Sequence, residues 1–183
     1  MSGDNDSGAE LPGFDELMPG PTGRPLRAFA EPKPLSGHGP ARIIALCNQK
    51  GGVGKTTTTI SLGAALADYG RKVLVIDFDP QGALSAGLGM QSHDVPTVYD
   101  LLLGREKDAR KAVQATATKN LHLIPANIDL SAAEVHLVGE VAREQILARV
   151  LAPLRDDYDV ILIDCQPSLG LLTVNALTAA HGV

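Results

Sequence analysis

The 183-residue chain is long enough for one α/β domain with a buried core. Hydrophobic residues make up 44%, yet with three Phe, three Tyr and no Trp the core must be Ala, Val, Leu and Ile, as in a sheet covered by helices on both faces. A net charge of −5 gives no hint of nucleic acid, although a basic face could still exist, and no apolar run approaches the roughly 18 residues of a membrane span, so a soluble cytoplasmic protein with no membrane partner is expected.

Residues 1–40 carry seven of the twelve prolines and seven of the nineteen glycines, with Asp4, Asp6, Glu10, Asp15 and Glu16 among them. Such a segment cannot bury enough apolar surface to offset its ordering entropy, which predicts a disordered acidic tail. Within it, Phe14-Asp15-Glu16-Leu17-Met18 has the composition of a docking peptide, although a featureless solvated tail is the simpler reading.

The folded domain is expected over residues 41–183. Ile43-Ile44-Ala45-Leu46-Cys47 reads as a buried strand, and Lys55 to Tyr69 as a helix closed by Gly70 in a left-handed conformation. Val73 to Asp77 is a second strand. Thr97 with Asp100 resembles an N-terminal cap for a helix over Val98 to Leu103, and Leu121 to Ile124 is a third strand. Ser131 with Glu134 predicts a capping box. Val141, Ile146, Leu147, Val150 and Leu151 predict a helix over 140–152, before Pro153 disturbs it. Val160 to Asp164 is the fourth strand and Leu171 to Ala180 the next helix. This alternation predicts a mostly parallel, doubly wound α/β sheet with right-handed crossovers. A further strand is expected after His181-Gly182-Val183, so the chain reads as a fragment lacking its C-terminal part.

Cys47 and Cys165, each in a strand-like run, read as buried thiols. His38, His93, His122, His136 and His181 show no metal-ligand spacing.

The chemistry centres on Lys50-Gly51-Gly52-Val53-Gly54-Lys55-Thr56-Thr57, between an apolar strand and a helix. Gly51, Gly52 and Gly54 allow backbone conformations that turn several N–H groups toward one anion, and the helix start adds its dipole. Lys55 can reach β- and γ-phosphates, and the Thr56 hydroxyl can ligand Mg²⁺. The strict P-loop pattern has glycine where this chain has Gln49. A P-loop also needs a carboxylate to hold the metal's water shell, and Asp164, ending an apolar strand, has that form. Asp77 and Asp79 end the strand after the P-loop helix; either could face the cleft or form a turn, and the turn reading suits Asp77 better.

The run Lys50 to Thr57, with lysine before the glycines as well as before the threonines, resembles the deviant Walker A motif of the ParA/MinD class of P-loop ATPases. Ile76-Asp77-Phe78-Asp79-Pro80-Gln81-Gly82, Thr97 to Leu102, Asn120 to Ala126, Asp164-Cys165-Gln166-Pro167-Ser168-Leu169-Gly170 and Thr173 to Leu177 resemble ParA/Soj partition proteins. The resemblance covers residues 42–183. It implies ATP and Mg²⁺ as cofactors, with residues 50–57 at the nucleotide and Thr56 and Asp164 at the metal, Asp164 through water. It implies that Lys50 reaches a partner's ATP in a nucleotide-sandwich homodimer, that Asp79 orients the attacking water, and that residues 167–170 form a nucleotide-sensing switch. Gln166 departs from the family, which usually has Pro there.

The resemblance further implies ATP hydrolysis stimulated by a ParB-like centromere-binding protein, nucleoid association, and non-specific DNA binding through a C-terminal region. Arg105, Lys107, Arg110 and Lys111 form a local basic cluster, but a solvated helix face explains them. An alternative is a MinD-like positioning ATPase recruited to membranes by a C-terminal amphipathic helix. A reductase of the nitrogenase type would need cluster-ligating cysteines at a dimer face.

Overall fold

Every residue of the strand Val73–Phe78 is buried, as a strand with both faces covered must be. The computed structural model describes residues 33, 35–90 and 94–183; most of the expected tail, including residues 14–18, lies outside the described residues. Five strands form one sheet: β1 (Arg42–Leu46), β2 (Val73–Phe78), β3 (Gln114–Ala115), β4 (Leu121–Ile124) and β5 (Val160–Cys165). Their order is β1-β5-β2-β4-β3. The first four in that order pair in parallel, and the two-residue β3 adds an antiparallel edge that hydrophobic patterning did not reveal.

Among the described residues six α-helices accompany the sheet: α1 (Lys55–Asp68), α2 (Ala83–Gly87), α3 (Val98–Leu102), α4 (Ala133–His136), α5 (Ile146–Leu151) and α6 (Leu171–Ala179). Strand side chains alternate between the two faces. Leu74, Ile76 and Phe78 of β2 and Ile161, Ile163 and Cys165 of β5 pack with α3, α5 and α6 in the larger apolar cluster. Val73, Val75 and Leu162 face the other way, onto Ala67 of α1 and Leu84 of α2. The sheet is thus doubly wound, and its core is mostly aliphatic, with Phe78, Tyr99 and Tyr158 the buried aromatics among the described residues.

Helix ends follow local chemistry. Gly70 closes α1 at φ 77°, a conformation that costs a residue with a Cβ. The Thr97 hydroxyl and amide both bond to Asp100, forming the expected capping box of α3.

Two expectations are corrected. Ser131 does not cap α4: it lies in the 3₁₀ turn Ile128–Ala132 and donates to the Ile128 carbonyl, while the Glu134 carboxylate points away to a different helix. The helix expected over 140–152 is only α5, flanked by 3₁₀ turns at Arg143–Gln145 and Ala152–Asp157. Pro153 falls in the first turn of the latter, where its missing N–H is tolerated. After α6 the backbone bridges Gly182 to Ile44 in parallel, beside the free edge of β1.

Three residues of the basic cluster are tied to neighbours. Arg110 pairs with Asp157 at 2.8 Å, Lys111 with Glu106 at 3.5 Å, and Arg105 lies over the Tyr99 ring.

Candidate functional site

The order β1-β5-β2 brings three strand ends together. Leu46, Asp164 and Asp77 stand side by side in register, so the loop after β1, the Asp164 carboxylate and the Asp79 turn share one end of the sheet. In an open parallel sheet this is the edge where ligands bind.

The loop between β1 and α1 turns through Gly52 at φ 68° and Gly54 at φ 88°, and Gly54 caps α1 without a side chain. A Cβ built on Gly51, Gly52 or Gly54 meets no atom within 4 Å, so the glycines line open space that side chains would narrow. A cavity of about 310 Å³ follows, lined by residues 51–57 together with Asp79 and Pro167. The fourteen-residue α1 points its N-terminal amides at this space, with no acidic residue in its first turn to compete for them. Lys50 stands apart: it is exposed and outside the lining, its amide donating to Asn48 Oδ1 at 2.9 Å.

Asp164 is 1% exposed, and neither of its carboxylate oxygens has a hydrogen-bond partner. Burial lifts its pKa to about 6. The Thr56 hydroxyl beside it pulls the pKa down without reaching hydrogen-bond geometry, Asp77 and Asp79 push it up, and Lys55 opposes them. An orphaned buried carboxylate next to a threonine hydroxyl and a lysine fits a divalent cation with bound water.

Asp77 is equally buried but fully engaged. Its Oδ2 accepts from the amide and the hydroxyl of Ser85, at 2.8 and 2.7 Å, and its Oδ1 from the Asp79 amide. Burial raises its pKa, with the Ser85 bonds acting in the opposite sense. Asp77 therefore builds the turn, and Asp79 is carried by it to the cavity wall, half-buried, with Oδ1 accepting from the Gln81 amide at 2.9 Å.

The Cys47 and Cys165 thiols are free, with sulfurs 3.0 Å apart. Cys165 is buried as expected and Cys47 only partly so; burial raises the Cys165 pKa.

Two contributors escaped the sequence reading. Asn175, buried in α6, accepts from the Leu147 amide and donates to the Arg143 and Leu171 carbonyls, which fixes the start of α5. A lone amide in an apolar helix was the available signal. Glu134 accepts from Gln166 and from the start of α6, a contact between segments 32 to 38 residues apart that no local pattern encodes.

A glycine cradle between a buried strand and a helix, with an acidic residue ending the neighbouring parallel strand, defines a P-loop nucleotide-binding fold. The match of residues 41–183 to the AAA domain family makes the assignment specific: the chain belongs to that family, among its ParA/Soj-type members. It is 59% identical over 165 residues to an uncharacterized protein of Mycobacterium tuberculosis, covering 90% of this chain and 52% of that one. It is 52% identical over 143 residues to the sporulation initiation inhibitor protein Soj of Bacillus subtilis, covering 78% of this chain and 56% of Soj. Among solved structures, cobyrinic acid a,c-diamide synthase from Mycobacterium smegmatis, with bound ATP analogue and magnesium, superposes with a TM-score of 0.74 at 50% identity, over 77% of this chain and 57% of that one. The chain thus spans about half the length of the curated relatives it matches.

Proposed function

We propose that this chain is the nucleotide-binding portion of a ParA-type partition ATPase, which binds ATP with Mg²⁺, dimerises around it and hydrolyses it slowly while moving DNA cargo. The observation that carries the reading is the open glycine cradle of residues 51–54 set against the partnerless Asp164 carboxylate and the Thr56 hydroxyl. Backbone amides of the loop and of the α1 N-terminus bind the phosphates, and Lys55 at the first position of α1 adds a fixed positive charge. Thr56 and Asp164 would hold Mg²⁺, Asp164 through water, and the ion when bound would neutralise charge on the phosphate oxygens. Asp79, on the cavity wall, orients the attacking water. Lys50 acts on a partner subunit's nucleotide rather than on its own, a reading supported by its exposure and its absence from the cavity lining. Stimulation by a ParB-like protein and non-specific DNA attachment complete the cycle, in the cytoplasm on the nucleoid.

The two lysines test this reading. Lys55→Ala removes charge from the phosphates of the protein's own nucleotide and weakens ATP binding by about tenfold or more. Lys50→Ala leaves ATP affinity within about threefold while abolishing ATP-dependent dimerisation and stimulated hydrolysis. Nucleotide binding is measured beside sedimentation with a non-hydrolysable analogue. Lys50→Ala dimers that form and turn over normally would leave only a generic P-loop protein.

A further inference from the structure

We propose that Glu134 is a positioning residue for hydrolysis: its carboxylate, on α4, sets the geometry of residues 166–170, the segment that leads from Asp164 to α6. The inference rests on the reading of residues 51–57, Asp79 and Asp164 as an ATP-hydrolysing site.

α4 is anchored by Ala133 and by Leu137 just after it, both buried, while Val135 on its other side is exposed. Glu134 is half-buried and projects toward the end of β5. Its Oε1 accepts two hydrogen bonds, each 3.3 Å long, from Gln166 Nε2 and from the backbone amide of Leu172. These donors lie at the two ends of the segment. Gln166 is two residues beyond Asp164, and Leu172 is in the first turn of α6.

The site around Glu134 is shaped for it. α6 begins with Gly170 at its N-cap, so no side chain of its own satisfies its first amides. Glu134 supplies the missing acceptor from another element, and its negative charge favours the positive end of the helix. Gly170 itself has an ordinary extended backbone, φ −91° and ψ −174°, that any residue adopts. Its requirement is steric: a Cβ there would collide with Glu134 Oε1. Glycine at 170 is the space that admits the carboxylate.

Between the two tethers the segment is braced by the Ser168 amide to the Gln166 carbonyl at 2.9 Å and by the Thr173 hydroxyl to the Ser168 carbonyl at 2.8 Å. Pro167, in the same segment, lines the cavity with Asp79 and residues 51–57. The Gln166 backbone amide also donates to the Phe78 carbonyl at 3.3 Å, so β2 holds the start of the segment while Glu134 links the Gln166 side chain to the start of α6. Residues 51–57 make no hydrogen bond to Glu134. Glu134 thus acts on how the cavity wall stands during water attack, and not on how the phosphates are held.

The test is steady-state ATP hydrolysis of the whole protein, with thermal unfolding and hydrogen exchange. Glu134→Ala lowers kcat by about tenfold or more while the KM for ATP stays within about threefold, the range over which small misplacement of reacting groups acts. Glu134→Gln keeps the Oε1 acceptor and restores kcat to within about threefold. Gly170→Ala expels the carboxylate and lowers kcat comparably in the native background. Combined with Glu134→Ala it lowers kcat no further, since both changes remove one contact.

A Glu134→Ala kcat within about twofold of the native value, a parallel collapse of ATP affinity and thermal stability, or no rescue by Gln overturns the proposal. A native protein that fails to hydrolyse ATP at all would sink the proposed function instead. Hydrogen exchange then still decides on the tether: Glu134→Ala accelerates exchange of the Leu172 amide by about tenfold if the bond is made, and unchanged exchange refutes it.

Discussion

Asp77 and Asp164 face each other in register across the β2–β5 ladder, and their surroundings treat the two buried carboxylates in opposite ways. Asp77 accepts three hydrogen bonds and organises a turn. Neither oxygen of Asp164 has a hydrogen-bond partner. One carboxylate is satisfied by hydrogen bonds and the other is not, although both stand at the ends of apolar strands.

Asp164 should destabilise the protein when nucleotide and magnesium are absent. Its folded pKa of about 6 lies above the ordinary 3.8, so the native state holds the proton longer than the unfolded chain does. Stability then falls as pH rises between about 4 and 6, and at neutral pH the charge costs at most about 3 kcal/mol. Asp164→Asn removes that cost: denaturant unfolding shows a more stable protein at neutral pH and a flatter profile over that window, together with lost magnesium dependence of nucleotide binding. An Asn variant less stable than the native protein at neutral pH contradicts this.

Asp77→Ala leaves the buried Ser85 amide and hydroxyl without their acceptor, and the hydroxyl also receives the Ala126 amide at 3.2 Å. A loss of about 2–4 kcal/mol in unfolding free energy is expected. A loss below about 1 kcal/mol would show that water replaces the carboxylate.

Asp79→Ala separates catalysis from binding. Its one backbone bond, to Gln81, is exposed, so stability changes by less than about 1 kcal/mol. ATP affinity stays within about threefold while kcat drops by at least about tenfold, because the proposed task begins only at water attack. Native turnover in this variant makes Asp79 a turn residue alone.

Asp159 anchors the start of the folded unit at the opposite end of the sheet from the cavity. It accepts from the Lys72 amide at 2.7 Å, the His38 ring at 2.7 Å and the Gly39 amide at 3.1 Å. Burial alone would raise its pKa, but these bonds together hold it below 3.8. The stabilisation is present above that value and is lost as pH falls through the lower folded pKa. Asp159→Asn should therefore flatten the acid limb of the stability profile, and acid unfolding curves for the two proteins check it. Coincident curves remove the anchor.

Much of this was legible locally. Strand burial, the α3 capping box, the Gly70 closure and the glycine loop each depend on residues a few positions apart. Ser131 and Glu134 misled because their spacing imitates a local cap, while the carboxylate finds better donors on α6 and Gln166. The α5 region misled similarly. Its apolar spacing is helical, but much of the segment closes into 3₁₀ turns on either side of a shorter helix.

By itself the sequence determined which residue types could meet a nucleotide, since glycine, lysine and threonine at the strand-to-helix turn act through short-range backbone and side-chain geometry. Only the tertiary structure decided which acid is free. Asp77 and Asp164 have the same local setting, an apolar strand ending in carboxylate. Their roles part because Ser85 reaches back to one of them, while the other lies beneath the glycine loop with no donor in bonding geometry. Hydrogen-bond satisfaction of a buried charge is settled by neighbours brought in through strand order, and strand order is not written in any single segment.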